Sequence, residues 1–167
     1  MKRHQVSHAR LLQLFIYLPD EGCFQRLTSH SGYIKGFKAF GTATKCGHRR
    51  IVVDGIGYFA HNLAWFYVTG RWPEPMVDHK DTEGHNNRWA NLREATQTQN
   101  NANMRKRAGT SSDFKGVTYV SGRGKWQASI KAAGKSKFLG RFETEQEAAA
   151  AYMAAARGLF GEFARAA

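Results

Sequence analysis

Residues 78–100 hold the side chains best suited to chemistry. Asp78 and His79 are adjacent, Asn91 follows twelve residues after His79, and Asn100 stands twenty-two after Asp78. A carboxylate, an imidazole and two carboxamides suit one task in combination. A histidine that titrates near neutrality can take a proton from water. A divalent cation can clamp a phosphate and stabilise the oxygen that leaves. Asp78 and Asn100 are hard oxygen donors, which favour one Mg2+ or Mn2+ over Zn2+. The expected reaction is hydrolysis of a phosphodiester. Neighbouring residues of a strand point to opposite faces. Asp78 and His79 can therefore share a site only where the strand ends or twists, or where the phosphate sits between them.

The elements that must carry these groups are short. Met76–Asp78 and Leu92–Glu94 read as strands around a polar loop, and the Thr96 hydroxyl can cap a helix running to about Met104. Strand, loop, strand and helix make a ββα unit. Upstream, His8–Leu18 could be helix or strand. Cys23–Leu27, Lys45–Val53 and Gly57–Phe59 read as strands, with a hairpin turn at Asp54-Gly55. Residues 28–44 read as loop. Ala60–Thr69 reads as a helix ended by Gly70, with Pro73 and Pro75 preventing its continuation. His61, near its start, can be a packed histidine or a ligand. Cys23, Cys46 and His48 could be drawn as metal ligands, but free thiols are the expectation.

The charge points to a polyanion. The chain has 167 residues, a net charge of +12 and 42% hydrophobic residues, so it can build a core and suits a nucleic-acid partner. Residues 1–100 hold 13 Lys+Arg against 8 Asp+Glu, whereas residues 101–167 hold 12 against 5. The shorter segment is the more basic, and its grip on phosphate should depend on salt. Arg105, Lys106 and Arg107 open a linker, 105–113, that can touch the DNA backbone. No run approaches the ~18 apolar residues of a membrane span, and Leu11–Leu18 lacks a small-residue cleavage site. A cytoplasmic protein is expected, in the host cell if phage-encoded.

From Phe114 the pattern changes. Lys115–Val120, Lys125–Ala132 and Ser136–Phe142 read as three strands, with turns at 121–124 and at Ala133-Gly134-Lys135. Thr144 and Glu147 fit a capping box. The alanine-rich helix behind it should run to about Arg157 and end at Gly158, with Ala148, Ala149, Tyr152, Met153 and Ala156 buried. Trp126, Ala128 and Ile130 share one strand face and can pack with Val117 and Leu139 under this helix. Gln127, Ser129 and Lys131 share the other face, which stays polar and basic. The expected fold class is α+β: a ββα nuclease unit preceded by short strands and a helix, then a three-stranded antiparallel sheet packed on one α-helix. A sheet of this size can enter the DNA major groove.

Residues 8–104 resemble the HNH family of ββα-metal endonucleases, in its phage and intron-encoded, or homing, branch. The likeness rests on Ala60-His61-Asn62-Leu63-Ala64-Trp65, on Thr69-Gly70-Arg71-Trp72-Pro73 and on the 78–100 run. It implies that His79 is the general base, that Asp78 and Asn100 hold the metal, and that Asn91 is the middle asparagine, bracing the loop and orienting His79. Arg88 and Arg93 could touch phosphate or form ion pairs. Asn100 stands where other branches place histidine, which fits Mg2+ or Mn2+.

Residues 114–164 resemble the Apetala/ethylene-response-factor type of DNA-binding domain. The matching pieces include Phe114-Lys115-Gly116-Val117, Gly124-Lys125-Trp126-Gln127-Ala128 and Phe138-Leu139-Gly140-Arg141-Phe142. By that likeness the DNA-facing residues are Lys115, Thr118, Arg123, Ser129, Lys131 and Phe138. Thr118, Ser129 and Phe138 differ from the plant pattern, so the plant target sequence is not implied. The expected protein binds double-stranded DNA as a monomer with no evident protein partner, and one site should nick one strand. The alternatives are an inactive DNA-binding regulator that uses the HNH unit as scaffold, and an RNA nuclease. A-form RNA closes its major groove and disfavours the last.

Overall fold

The computed structural model describes residues 5–29, 34–106, 108–132 and 134–167. Arg107 of the expected phosphate contacts and Ala133 of the expected turn lie outside the described residues. The chain forms two compact units, Met1–Ala95 and Thr96–Ala167.

In the first unit the ambiguous run 8–18 divides. Helix α1 (His8–Leu14), capped by the Ser7 hydroxyl, buries Leu11 and Leu14. It then gives way to β1 (Phe15–Leu18), which buries Phe15 and Tyr17. The period of the apolar residues thus changes from helical to alternating within one run. β1 pairs antiparallel with β2 (Cys23–Arg26), and β2 with β3 (Lys38–Ala39). β4 (Thr42–Ala43) and β3 are two-residue strands inside the stretch expected to be loop.

A second small sheet joins β4, β5 (Arg49–Val53) and β6 (Ile56–Phe59). The expected strand from Lys45 starts only at Arg49, because Thr44–His48 folds into a turn, with Gly47 N–H on the Thr44 carbonyl at 3.0 Å. Asp54 and Gly55 both have positive φ, 47° and 78°, the left-handed pair that a two-residue hairpin needs. Helix α2 (Ala60–Thr69) ends at Gly70, whose φ of 73° lets its N–H reach the Phe66 carbonyl. β7 (Met76–His79) and β8 (Leu92–Ala95) pair antiparallel, with Asp78 opposite Arg93 and His79 opposite Leu92. One core binds these pieces together. It includes Leu11, Phe15, Phe24, Val53, Leu63 and Leu92, and each such side chain stabilises the fold by about 1.5–3 kcal/mol when fully buried.

The second unit opens with α3 (Gln97–Asn103), closed at its start by a capping box between Thr96 and Gln99. β9 (Val117–Val120), β10 (Lys125–Ala132) and β11 (Lys135–Phe142) form an antiparallel sheet in the order β11–β10–β9. Helix α4 (Glu145–Phe160) begins at the Thr144–Glu147 capping box. Val117, Ala128, Ala148 and Ala149 form the core between helix and sheet, with Trp126 and Leu139 packed at its edge.

Two boundaries differ from expectation. Gly158 does not end α4. The helix continues two residues to bury Phe160 and stops at Gly161. The division of the chain also falls before α3 rather than in the 105–113 linker. The reason lies in the second unit itself: the Lys115 ammonium donates to the carbonyls of Asn101, Ala102 and Met104, the free acceptors at the end of α3.

Candidate active site

β7 presents its two functional side chains to different surroundings. Asp78 is buried, and its Oδ2 accepts from Arg93 Nε at 2.9 Å across the strand pair. His79 is buried on the side of α2, where its ring centroid lies 5.0 Å from that of His61 and 5.7 Å from that of His48. The alternation of the strand is kept. His79 is the last residue of β7, so the strand end is where the two groups can serve one substrate.

The loop 80–91 holds His79 in place. His79 Nε2 lies 3.0 Å from Asn87 Oδ1, and Asn87 is itself almost fully buried. The amide of Asn87 points its NH2 toward the His85 carbonyl, at 3.4 Å. Its oxygen therefore faces the imidazole, so Nε2 carries the proton and the lone pair resides on Nδ1. Burial pushes the His79 pKa below its ordinary value; the Asn87 bond opposes this, the His48 charge adds to it, and Asp81 and Asp78 oppose it. The net effect keeps His79 neutral at neutral pH, the form a general base needs.

Asn91 braces the loop as expected, but His79 rests on another asparagine. Asn91 accepts from Asp81 N–H at 3.1 Å and donates to Asp81 Oδ1 at 3.0 Å and to the Asn86 carbonyl at 2.7 Å. It ties the two ends of the loop together. The residue that orients His79 is Asn87, a correction to the sequence reading. The physical reason is reach: Asn91 lies in the short turn Trp89–Asn91 at the far end of the loop, whereas Asn87 is carried under the imidazole. Asp81 lies lower than an ordinary carboxyl: its burial raises the pKa, but bonds from Glu83 N–H, Asn86 and Asn91 outweigh that.

Asn87 in turn rests on the first hairpin. Tyr17 Oη donates to the Asn87 carbonyl at 2.6 Å, and Trp89 N–H donates to the Pro19 carbonyl at 3.0 Å. Gly22, at φ 69°, lies so close that a Cβ there would stand 2.5 Å from Arg88 N and 2.6 Å from Asn87 C. The sequence singled out none of Tyr17, Gly22, His48 or Asn87 for a role at the site. A Gly in the turn Asp20–Cys23 was visible, but not what it approaches.

His48 enters from the β4–β5 turn. Its ring packs over Gly84, where a Cβ would come within 3.0 Å of His48 Cδ2. Its Nδ1 lies 3.4 Å from Cys46 Sγ, and Cys46 is lowered to about 7 by bonds from Thr44 and His48. His61, on α2, is pushed down to about 3 by burial and by its two histidine neighbours. His48, His61 and His79 form a group that could hold a metal ion.

With this geometry in view, residues 58–102 match the model of a family described as HNH endonuclease. The segment is an HNH endonuclease domain. Over 98 residues the chain is 39% identical to an uncharacterised HNH endonuclease of Acanthamoeba polyphaga mimivirus, a match covering 58% of this chain and 50% of that protein. The chain thus spans about half the length of the curated relative it matches. The HNH domain match takes in His61, Asp78, His79, Asn87, Asn91 and Asn100, and leaves out Tyr17, Gly22 and His48.

The other expected residues of the HNH domain divide. Arg88 is exposed beside Asn87. Arg93 is not: of the two roles left open for it, the buried ion pair with Asp78 is the one found, in place of the phosphate contact. Asn100 lies on α3, in the second unit. No helix among the described residues is long and apolar enough to cross a membrane.

In the second unit Thr118, Ser129, Lys131 and Phe138 lie on the sheet's outer face. Thr118 stands opposite Gln127, Ser129 opposite Phe138, and Lys131 opposite Ser136. Phe138 is 55% exposed, with the Arg141 guanidinium 5.4 Å from its ring centre. Arg123 is exposed in the turn before β10, and Arg105 is exposed after α3. Lys106 is half-buried. Lys115 is corrected: it is half-buried and spent on the α3 carbonyls.

Proposed function

We propose that this protein is a DNA endonuclease that hydrolyses a phosphodiester with His79 as general base. The observation that carries this reading is the His79–Asn87 contact at 3.0 Å, which leaves the basic lone pair on Nδ1 of a neutral, buried imidazole at the end of β7. Water approaching that end can lose its proton to Nδ1 as it attacks phosphorus. Asn91 keeps the loop closed so that Asn87 stays under the ring. Arg88, exposed at the rim, can meet the phosphate backbone.

Asp78 is a proposed ligand of one divalent cation. Asp78 fits this role chemically, because a carboxylate is a hard oxygen donor. A donor of this kind favours Mg2+ or Mn2+. Such an ion, when bound, stabilises the charge that develops on the leaving oxygen. One site of this kind supports nicking of one strand by a monomer.

The second unit is proposed to direct the site to chosen double-stranded DNA. Its outer face offers Thr118, Ser129, Lys131 and Phe138 in facing positions, with Arg123, Arg105, Lys106 and Arg107 as backbone contacts. The width of a three-stranded sheet suits the major groove. The test is incubation of supercoiled plasmid with the protein and Mg2+, with and without chelator, beside His79→Ala. Metal-dependent nicking by the wild type alone is expected. Equal nicking by His79→Ala, or none by the wild type, would overturn the reading in favour of a DNA-binding regulator.

A further inference from the structure

Three imidazoles converge beside β7. One ring nitrogen from each of His48, His61 and His79 lies within 4.8 Å of the other two. One nitrogen in each of two rings has a partner. His79 Nε2 is held by Asn87 Oδ1 at 3.0 Å, and His48 Nδ1 by Cys46 Sγ at 3.4 Å. The Asn87 oxygen facing Nε2 places the His79 lone pair on Nδ1, and the Cys46 contact holds the His48 ring by its Nδ1. Outer partners of this kind are what orient histidines that bind metal.

His61 supplies the third observation. Its Nδ1 is buried and has no hydrogen-bond partner. A buried polar atom left so costs about 1–3 kcal/mol, and it calls for a physical reason. Gly84 fits the arrangement: a Cβ there would stand 3.0 Å from His48 Cδ2 and press the ring away from the loop by a few tenths of an ångström.

We propose that His48, His61 and His79 form a binding site for a transition-metal ion of the Zn2+ class, and that its occupancy withdraws His79 from service as a base. Three imidazoles suit Zn2+, Co2+ or Ni2+, whereas Mg2+ takes oxygen ligands. Zn–N bonds of about 2.0–2.1 Å put tetrahedral nitrogens roughly 3.4 Å apart. The cluster, with nitrogens at most 4.8 Å apart, closes by a small movement of half-exposed His48. Three protein ligands leave one position for water or an anion. The same lone pair of His79 cannot bind metal and accept a proton. This second consequence rests on the proposed function; the metal site itself does not.

The experiment uses the full chain and Co2+ as a spectroscopic substitute for Zn2+. In metal-free buffer the wild type is expected to develop visible ligand-field bands at one Co2+ per chain, and Zn2+ should displace them. His61→Ala and His48→Ala should each weaken binding by at least about tenfold, the lower bound of the loss seen when outer partners alone are removed. His48 sits on a surface turn, so its variant remains informative if His61→Ala fails to fold. Absence of bands and of Zn2+ uptake, or uptake unchanged in His48→Ala, would overturn the site. In parallel, one equivalent of Zn2+ should suppress Mg2+-supported nicking by the wild type, and the suppression ratio should shrink in His48→Ala. Co2+ binding without any Mg2+-supported nicking would leave the metal site standing and remove the base. Nicking without Zn2+ uptake would do the reverse.

Discussion

The imidazole of His79 and the carboxamide of Asn87 form one hydrogen-bonded pair, Nε2 to Oδ1 at 3.0 Å, with both residues buried. Asn87→Ala should therefore lower nicking on the order of 10–100-fold, the usual loss when an outer partner of a site histidine is removed. His79→Ala should lose about 10²–10⁴-fold, the worth of a positioned general base. Asn91→Ala should act mainly on stability, because it removes three loop bonds. Single-turnover nicking measured beside Tm separates the two asparagines.

Gly22 is where the first hairpin meets the loop. Gly22→Ala would force a Cβ onto the backbone of Asn87 and Arg88, so both Tm and nicking should fall. Gly47→Ala is the control, since it has a similar positive φ of 81° and nothing within 4 Å. It should cost only the roughly 1–2 kcal/mol of left-handed backbone strain. Equal losses in Tm for the two variants would remove the hairpin from the account of how Asn87 is placed.

Arg93 and Asp78 form a buried ion pair. Taking the guanidinium away with Arg93→Met leaves a buried carboxylate poorly compensated, and about 3–5 kcal/mol of stability should be lost in urea unfolding. A phosphate-binding arginine behaves otherwise. Its loss leaves stability intact and reduces the salt slope of DNA binding by about 1.

Lys131 and Lys115 should differ in the same way. Lys131 is exposed on the outer face, so Lys131→Ala should reduce the salt slope of DNA binding by about 1 with Tm unchanged. Salt-dependent binding to a duplex checks it.

Lys115 carries a pH dependence. Burial, with Arg165 nearby, lowers its pKa to about 8, against about 10.4 in the unfolded chain. Between these values the unfolded state binds more protons, so this group makes stability rise as pH climbs from about 8 to 10.4. Below that window the charged ammonium carries its full burial penalty. Unfolding curves across the window should show this rise in the wild type and lose it in Lys115→Met.

The sequence by itself determined the local parts of this protein. The left-handed pair Asp54-Gly55, the stop at Gly70, the caps at Thr96 and Thr144 and the alternation of Trp126, Ala128 and Ile130 each depend on residues close in the chain. Asp78 and His79 stood out for the same reason, since their chemistry is legible from type and spacing. What tertiary structure decided is who touches whom across long separations. Tyr17 reaches Asn87 across seventy residues, His48 joins His61 and His79 from another sheet, and Arg93 turns inward to Asp78 instead of outward to phosphate. Nothing in the local pattern distinguishes Asn87 from Asn86 or Asn91. Only packing against the first hairpin selects which carboxamide lies under the imidazole, because the approach of Gly22 and the Tyr17 hydroxyl fixes that one stretch of backbone. The proposed base is legible in the sequence, and the choice of the group that aims it belongs to the fold.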